Sequence, residues 1–199
     1  MPINRQLFFD YIRTHIKGFN GKLSSSQVEG MTHNLNIWEE KFSDKPLEWL
    51  AYAFATNCIE TGWTMLPVVE RGGPKYFIEH YWTNVKIRTQ LGNLSPQDAV
   101  DFCGKGDVQA TGRRNYTKIK ELTGIDVVTS PNKILEPDLS AWSMFVGMIN
   151  GIYTGKKLSD YFNISKKDWA GARHIINGED RAVEIGEIGK QFYQALISK

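Results

Sequence analysis

The chain has 199 residues, 41% of them hydrophobic, with 24 basic and 22 acidic side chains and a net charge of +2. That length supplies one sizeable core rather than two, so a single domain over residues 1–199 is expected. So small and scattered a basic excess excludes the concentrated cationic face of a nucleic-acid binder. No stretch approaches the roughly 18 consecutive apolar residues of a membrane-spanning helix, which excludes membrane insertion.

Leu7, Phe8, Tyr11, Ile12 and Ile16 recur at helical spacing and predict a first helix over residues 4–17. The serines at 24–26 and Gln27 offer N-cap groups to a second helix carrying Val28, Met31, Leu35, Trp38 and Phe42. Pro46 starts a third, with Leu50, Phe54 and Cys58 on one face, Glu60 in its last turn and Gly62 placed to end it. Pro67, Gly72, Gly73 and Pro74 make the next stretch irregular, and residues 76–82 carry too many aromatics in too short a run to assign. Residues 92–106 read as loops around one short helical turn, and 115–122 as a helix stopped by Gly124.

The strongest helical signal follows Pro137, where Leu139, Trp142, Met144, Phe145, Met148, Ile149 and Ile152 are apolar nearly all round, the mark of a buried central helix. Ser165 is expected to cap a helix beginning at Lys166, and Asp180 to cap the last one, striped by Val183, Ile185, Ile188, Phe192, Leu196 and Ile197. Extended structure is confined to two short candidates, 108–111 and 126–129. The fold class is therefore mainly α, with at most a small β element.

Cys58 and Cys103 belong to no close Cys/His cluster, and the four histidines show no ligand spacing, so no metal or other cofactor is expected. Two buried, reduced thiols are the expected state, although a disulfide between them stays open on sequence alone. The N-terminal run mixes charge with its apolar residues, so no signal peptide is expected, and the chain would wait in the cytoplasm until released to the cell wall.

Two carboxyls stand out, Glu60 at a helix end and Glu70 ten positions later in the Pro/Gly-broken segment. The negative end of a helix dipole disfavours a carboxylate, and apolar neighbours such as Trp63 add to this, so Glu60 suits a proton donor. A second carboxyl in a more open loop suits the base, with Glu79 as a competitor. Two carboxyls on opposite sides of a sugar suffice to hydrolyse a glycosidic bond, and an inverting reaction needs roughly 6.5–9.5 Å between them to admit a water.

The run Gly104-Lys105-Gly106-Asp107-Val108-Gln109-Ala110-Thr111-Gly112-Arg113-Arg114-Asn115-Tyr116 resembles the Gly-Arg-Gly-x-x-Gln-x-Thr-Gly-Arg-x-Asn-Tyr signature of glycoside hydrolase family 19, the chitinases and related phage endolysins. The end of the third helix at Glu60-Thr61, the Thr154-Gly155-Lys156-Lys157-Leu158 run and Arg173-His174-Ile175-Ile176-Asn177-Gly178 are similar to further family segments in the same order. The resemblance covers the chain almost end to end. It implies a lysozyme-like, two-lobed helical fold and hydrolysis of β-1,4 bonds between N-acetylated sugars. It also implies Glu60 as general acid, Glu70 as the base that activates water, and Thr111 as a hydroxyl holding that water. Gln109 and Asn177 would line the sugar sites, with Arg113 and Tyr116 as further substrate contacts. Ile59 stands where the family usually has histidine, and Lys105 and Asp107 replace an arginine and an aromatic residue.

The expected polymer is peptidoglycan, cut by an endolysin-like enzyme acting as a monomer. Chitin is the alternative polymer, and a non-catalytic glycan-binding relative the alternative class. The bland roles stay open beside these: Glu70 paired to Arg71, Thr111 capping the following helix, Asn177-Gly178 a simple turn, and Arg113 in a structural ion pair.

Overall fold

A computed structural model describes residues 2–198. Among them nine α-helices follow in order: α1 (Arg5–His15), α2 (Ser25–Lys41), α3 (Leu47–Glu60), α4 (Pro74–Ile78), α5 (Val85–Leu91), α6 (Pro96–Asp101), α7 (Arg113–Thr123), α8 (Pro137–Asn150) and α9 (Ala182–Ile197). Two antiparallel pairs complete the fold. Strands β1 (Val68–Val69) and β2 (Lys105–Gly106) meet with Val68 opposite Gly106, and β3 (Phe162–Asn163) and β4 (Lys166–Lys167) with Phe162 opposite Lys167. The molecule is mainly α, as composition and periodicity required.

Local chemistry sets the helix ends. Ser24 and Gln27 form a reciprocal capping box at α2: the Ser24 hydroxyl accepts from the Gln27 N–H and the Gln27 side chain accepts from the Ser24 N–H. Gly151 ends α8 and Gly124 ends α7, both in the left-handed region.

The larger core gathers α1, α2, α3, α8 and α9, with α3 packed most extensively against α9. Helix α3 is enclosed on every side from Leu50 to Cys58. A smaller core joins Phe102, Tyr116, Ile119, Val127, Ile134 and Leu139. Helix α8 serves both, since Leu139 belongs to the smaller core while Met144 and Phe145 belong to the larger. Two cores hinged on one central helix make the two lobes, and Cys58 and Cys103 lie buried as free thiols.

Three local expectations are corrected. Ser165 starts no helix: its N–H and hydroxyl both donate to Asn163 Oδ1, closing the turn between β3 and β4. Asp180 does not cap α9, which begins after Arg181 in the left-handed region, and the Asp180 carbonyl accepts instead from Arg173 Nε. Residues 126–129 are not extended, because Asp126 Oδ1 draws the N–H groups of Val128 and Thr129 into an Asx turn. In the other candidate, 108–111, only Ala110 forms a bridge, to Lys105. The unassigned stretch 76–82 proves to be the end of α4 followed by a π-helical turn, Glu79–Thr83.

A close approach fixes the loop after α3. A side chain at Gly30 would meet the Met65 carbonyl oxygen at 1.9 Å, so only glycine lets α2 lie against this loop. Gln27 adds a tie by donating to the Trp63 carbonyl.

Candidate active site

Glu60 ends α3, and Thr61 turns its hydroxyl back to donate to the Asn57 carbonyl at 2.7 Å while accepting from the Met65 N–H at 3.2 Å. Gly62, Trp63 and Met65 all take positive φ, which reverses the chain within one tight loop. The reversal delivers β1 to β2, and Glu70 follows directly, its N–H donating to the Gly104 carbonyl at 2.8 Å.

Both glutamates line one cavity of about 690 Å³, together with Gln109 and Thr111. Their surroundings differ. Glu60 Oε1 accepts from Nη1 of Arg173 at 2.6 Å, and that guanidinium is itself buried and held by the Asp180 carbonyl. Among the described residues Oε2 of Glu60 has no hydrogen-bond partner, which leaves it able to carry a proton to a bound oxygen. Glu70 accepts from the Tyr81 hydroxyl at 2.7 Å on Oε1 and from the Gly104 N–H at 3.0 Å on Oε2. Each oxygen keeps a lone pair for a water molecule.

Tyr81 belongs to the π-helical turn, and its carbonyl accepts from Asn93 Nδ2. Burial, and after it the hydrogen bond to Glu70, push the Tyr81 phenol well above its ordinary value, so it stays a donor at every working pH. Gly104 is equally constrained. A side chain there would come within 3.0 Å of Gln109 Oε1 and 3.1 Å of Glu70 Oε2.

Gln109, at φ 54°, donates both amide protons to the Val68 and Gly106 carbonyls, which leaves its Oε1 as its acceptor toward the cavity. Thr111 does not cap α7, whose N-cap is Gly112. Its hydroxyl donates to the Gln109 carbonyl at 2.9 Å and can accept a hydrogen bond from water.

The other sequence candidates lie elsewhere. Arg113 grips Asp98 with two hydrogen bonds, at 2.6 and 2.7 Å, and stacks over Phe102. That guanidinium holds the Asp98 carboxyl below its ordinary value. Tyr116 is fully buried against Phe102, its hydroxyl donating to the Cys103 carbonyl, so no sugar reaches it. Asn177 is exposed outside the cavity and closes a turn, its Oδ1 accepting from the Gly178 N–H. Glu79 sits beside Lys75 and does not compete with Glu70. Trp63, expected near Glu60, packs edge-on to Phe19.

Sequence reasoning passed over Arg173 and Tyr81 as partners of the two glutamates. The available signal was an arginine close in sequence to Ala172, Ile175 and Ile176, which once buried needs an acid to meet.

Solved structures share this architecture. A bacterial family 19 chitinase is 18% identical with a TM-score of 0.57, matched over 100% of this chain and 97% of that one. Chitinase C from Streptomyces griseus HUT6037 is 17% identical with a TM-score of 0.58, matched over 98% of this chain and 76% of that one. This is the fold of the family 19 chitinases. A mutant chitinase C matches at 15% identity and a TM-score of 0.56. No protein-family model and no curated protein matches the sequence. In the fold as this chain builds it, the helix end carrying Glu60 and the loop carrying Glu70 line one cavity.

Proposed function

We propose that the protein is a glycoside hydrolase that cuts β-1,4 bonds between N-acetylated amino sugars with inversion, and that its polymer is peptidoglycan. The observation that carries this is the pair of carboxyls in one cavity with unlike partners, Glu60 against a buried guanidinium and Glu70 against a phenol and a backbone N–H. Glu60 would protonate the departing oxygen through its free Oε2. Glu70, oriented by its two donors, would take a proton from a water that the Thr111 hydroxyl helps to hold. Gln109 Oε1 offers an acceptor for a sugar N–H or O–H.

Chitin is a second reading, favoured by the chitinases among the structural neighbours. As an endolysin the protein would reach the wall once the membrane is breached. The test is digestion of purified peptidoglycan and of chitin side by side, with mass spectra and the initial anomer of the product. Glu60→Gln should lose at least about 100-fold in turnover while remaining folded. A Glu70→Gln variant that kept full activity and released anhydro-sugars would replace hydrolysis by transglycosylation.

A further inference from the structure

Arg71 is exposed on the wall of the cavity, next in sequence to Glu70, yet Glu70 spends its oxygens on Tyr81 and Gly104. The chain has eight arginines. Arg5, Arg13, Arg113, Arg173 and Arg181 are held by carboxylates, Arg114 by the Thr89 carbonyl, and Arg88 lies over Trp82. Among the described residues Arg71 alone of the eight has no such partner.

Its place is built. A side chain at Gly72 would come within 2.6 Å of the Tyr76 ring and 2.9 Å of Phe77, so the backbone after Arg71 lies directly against the aromatic start of α4. That contact fixes the backbone from which the Arg71 side chain projects. It also sets a cation without a carboxylate partner on the cavity that Glu70 lines, where an incoming anion can meet it.

We propose that Arg71 is a specificity-determining residue that pairs with a carboxylate carried by the glycan, and so selects peptide-bearing peptidoglycan strands over neutral chitin. The assignment rests on the glycosidase activity proposed above and adds to it the substrate feature that is read. A guanidinium fork meets a carboxylate with two parallel hydrogen bonds and gains little from a neutral acetamido sugar. Stem peptides on peptidoglycan supply such carboxylates next to the sugar chain, whereas chitin has none.

The experiment compares kcat/KM on soluble glycan strands bearing their stem peptides with the same strands whose peptide carboxylates have been converted to neutral amides by carbodiimide coupling to ammonia. Arg71→Gln should lower the ratio of the two by roughly tenfold, and Arg71→Lys should restore part of it. Raising salt from about 50 to 500 mM should lower the wild-type ratio as well, because an exposed pair is screened. An unchanged ratio in Arg71→Gln, whether both substrates suffer equally or neither does, overturns the assignment. If the wild type cuts neither strand, the glycosidase reading has failed, and calorimetric binding of a soluble disaccharide-peptide then decides for Arg71. Weaker binding by Arg71→Gln than by wild type supports the pairing, and equal binding ends it.

Discussion

Arg173 donates to Glu60 at 2.6 Å across 113 positions of sequence, from a guanidinium that is 2% exposed. The 3-10 turn that carries it, Gly171–Ile175, is thereby locked to the end of α3. Removing one member of such a pair leaves the other without its counter-charge, which costs more than the pair gains by forming. Arg173→Met should therefore destabilise the fold by about 3 kcal/mol in urea unfolding and abolish turnover. Arg173→Lys should rescue little, because one ammonium cannot serve both Glu60 and the Asp180 carbonyl with the same planar geometry.

Tyr81→Phe removes a single donor from Glu70 and nothing else of the ring. A hydrogen bond to a charged group contributes about 1.5–3 kcal/mol, so kcat/KM should fall at least about tenfold. The thermal midpoint should move by only a few degrees. Unchanged kinetics would show that the Gly104 N–H alone orients the carboxylate.

Asp107 is buried among Asn34, Asn57 and Ser140, where burial pushes its carboxyl from 3.8 up to about 7, against the lowering effect of those hydrogen-bonding neighbours. The folded state thus holds this proton more tightly than the unfolded chain does. Its contribution to stability is fully present below pH 3.8 and is lost as pH rises through about 7, a swing of roughly 4 kcal/mol as an upper bound. Asp107 Oδ1 and Asn34 Oδ1 both lack partners, so an amide at 107 would supply the missing donor. Asp107→Asn should be more stable than wild type at pH 8, and close to it at pH 3.5, in urea unfolding at the two values.

Gly30→Ala tests how the loop between the glutamates is seated. Helix propensity favours alanine by about 1 kcal/mol, but the added methyl would lie 1.9 Å from a backbone oxygen that cannot rotate away. The clash wins, and the variant should lose about 2 kcal/mol or more of stability. A stabilised variant would mean that the loop can lift off α2 freely.

The helices were legible wherever one element carried its own signal. Ser24 and Gln27 announce α2, and the apolar ring around Met144 and Phe145 announces α8. Strands two residues long have no period to detect, so β1 through β4 were not foreseen, and Ser165 looked like a cap because turns and caps use the same side chains. At the site, Glu60, Glu70, Gln109 and Thr111 could be named from ordered motifs and do line one cavity. Arg113, Tyr116 and Asn177 come from the same motifs and serve packing or a turn, because Asp98, Phe102 and Gly178 claim them. Arg173 stayed hidden since its partner is distant in the chain, and Tyr81 since a π-helical turn re-aims it.

Val68 and Val69 meet Gly106 and Lys105 in a ladder of two residue pairs, and Glu70 is the next residue out. Successive residues of a strand face opposite ways, so a shift by one would point this carboxyl away from the groove. The stretch that joins the two acids therefore works as a ruler. One residue added or removed would uncouple donor from base while the helices on either side remained intact.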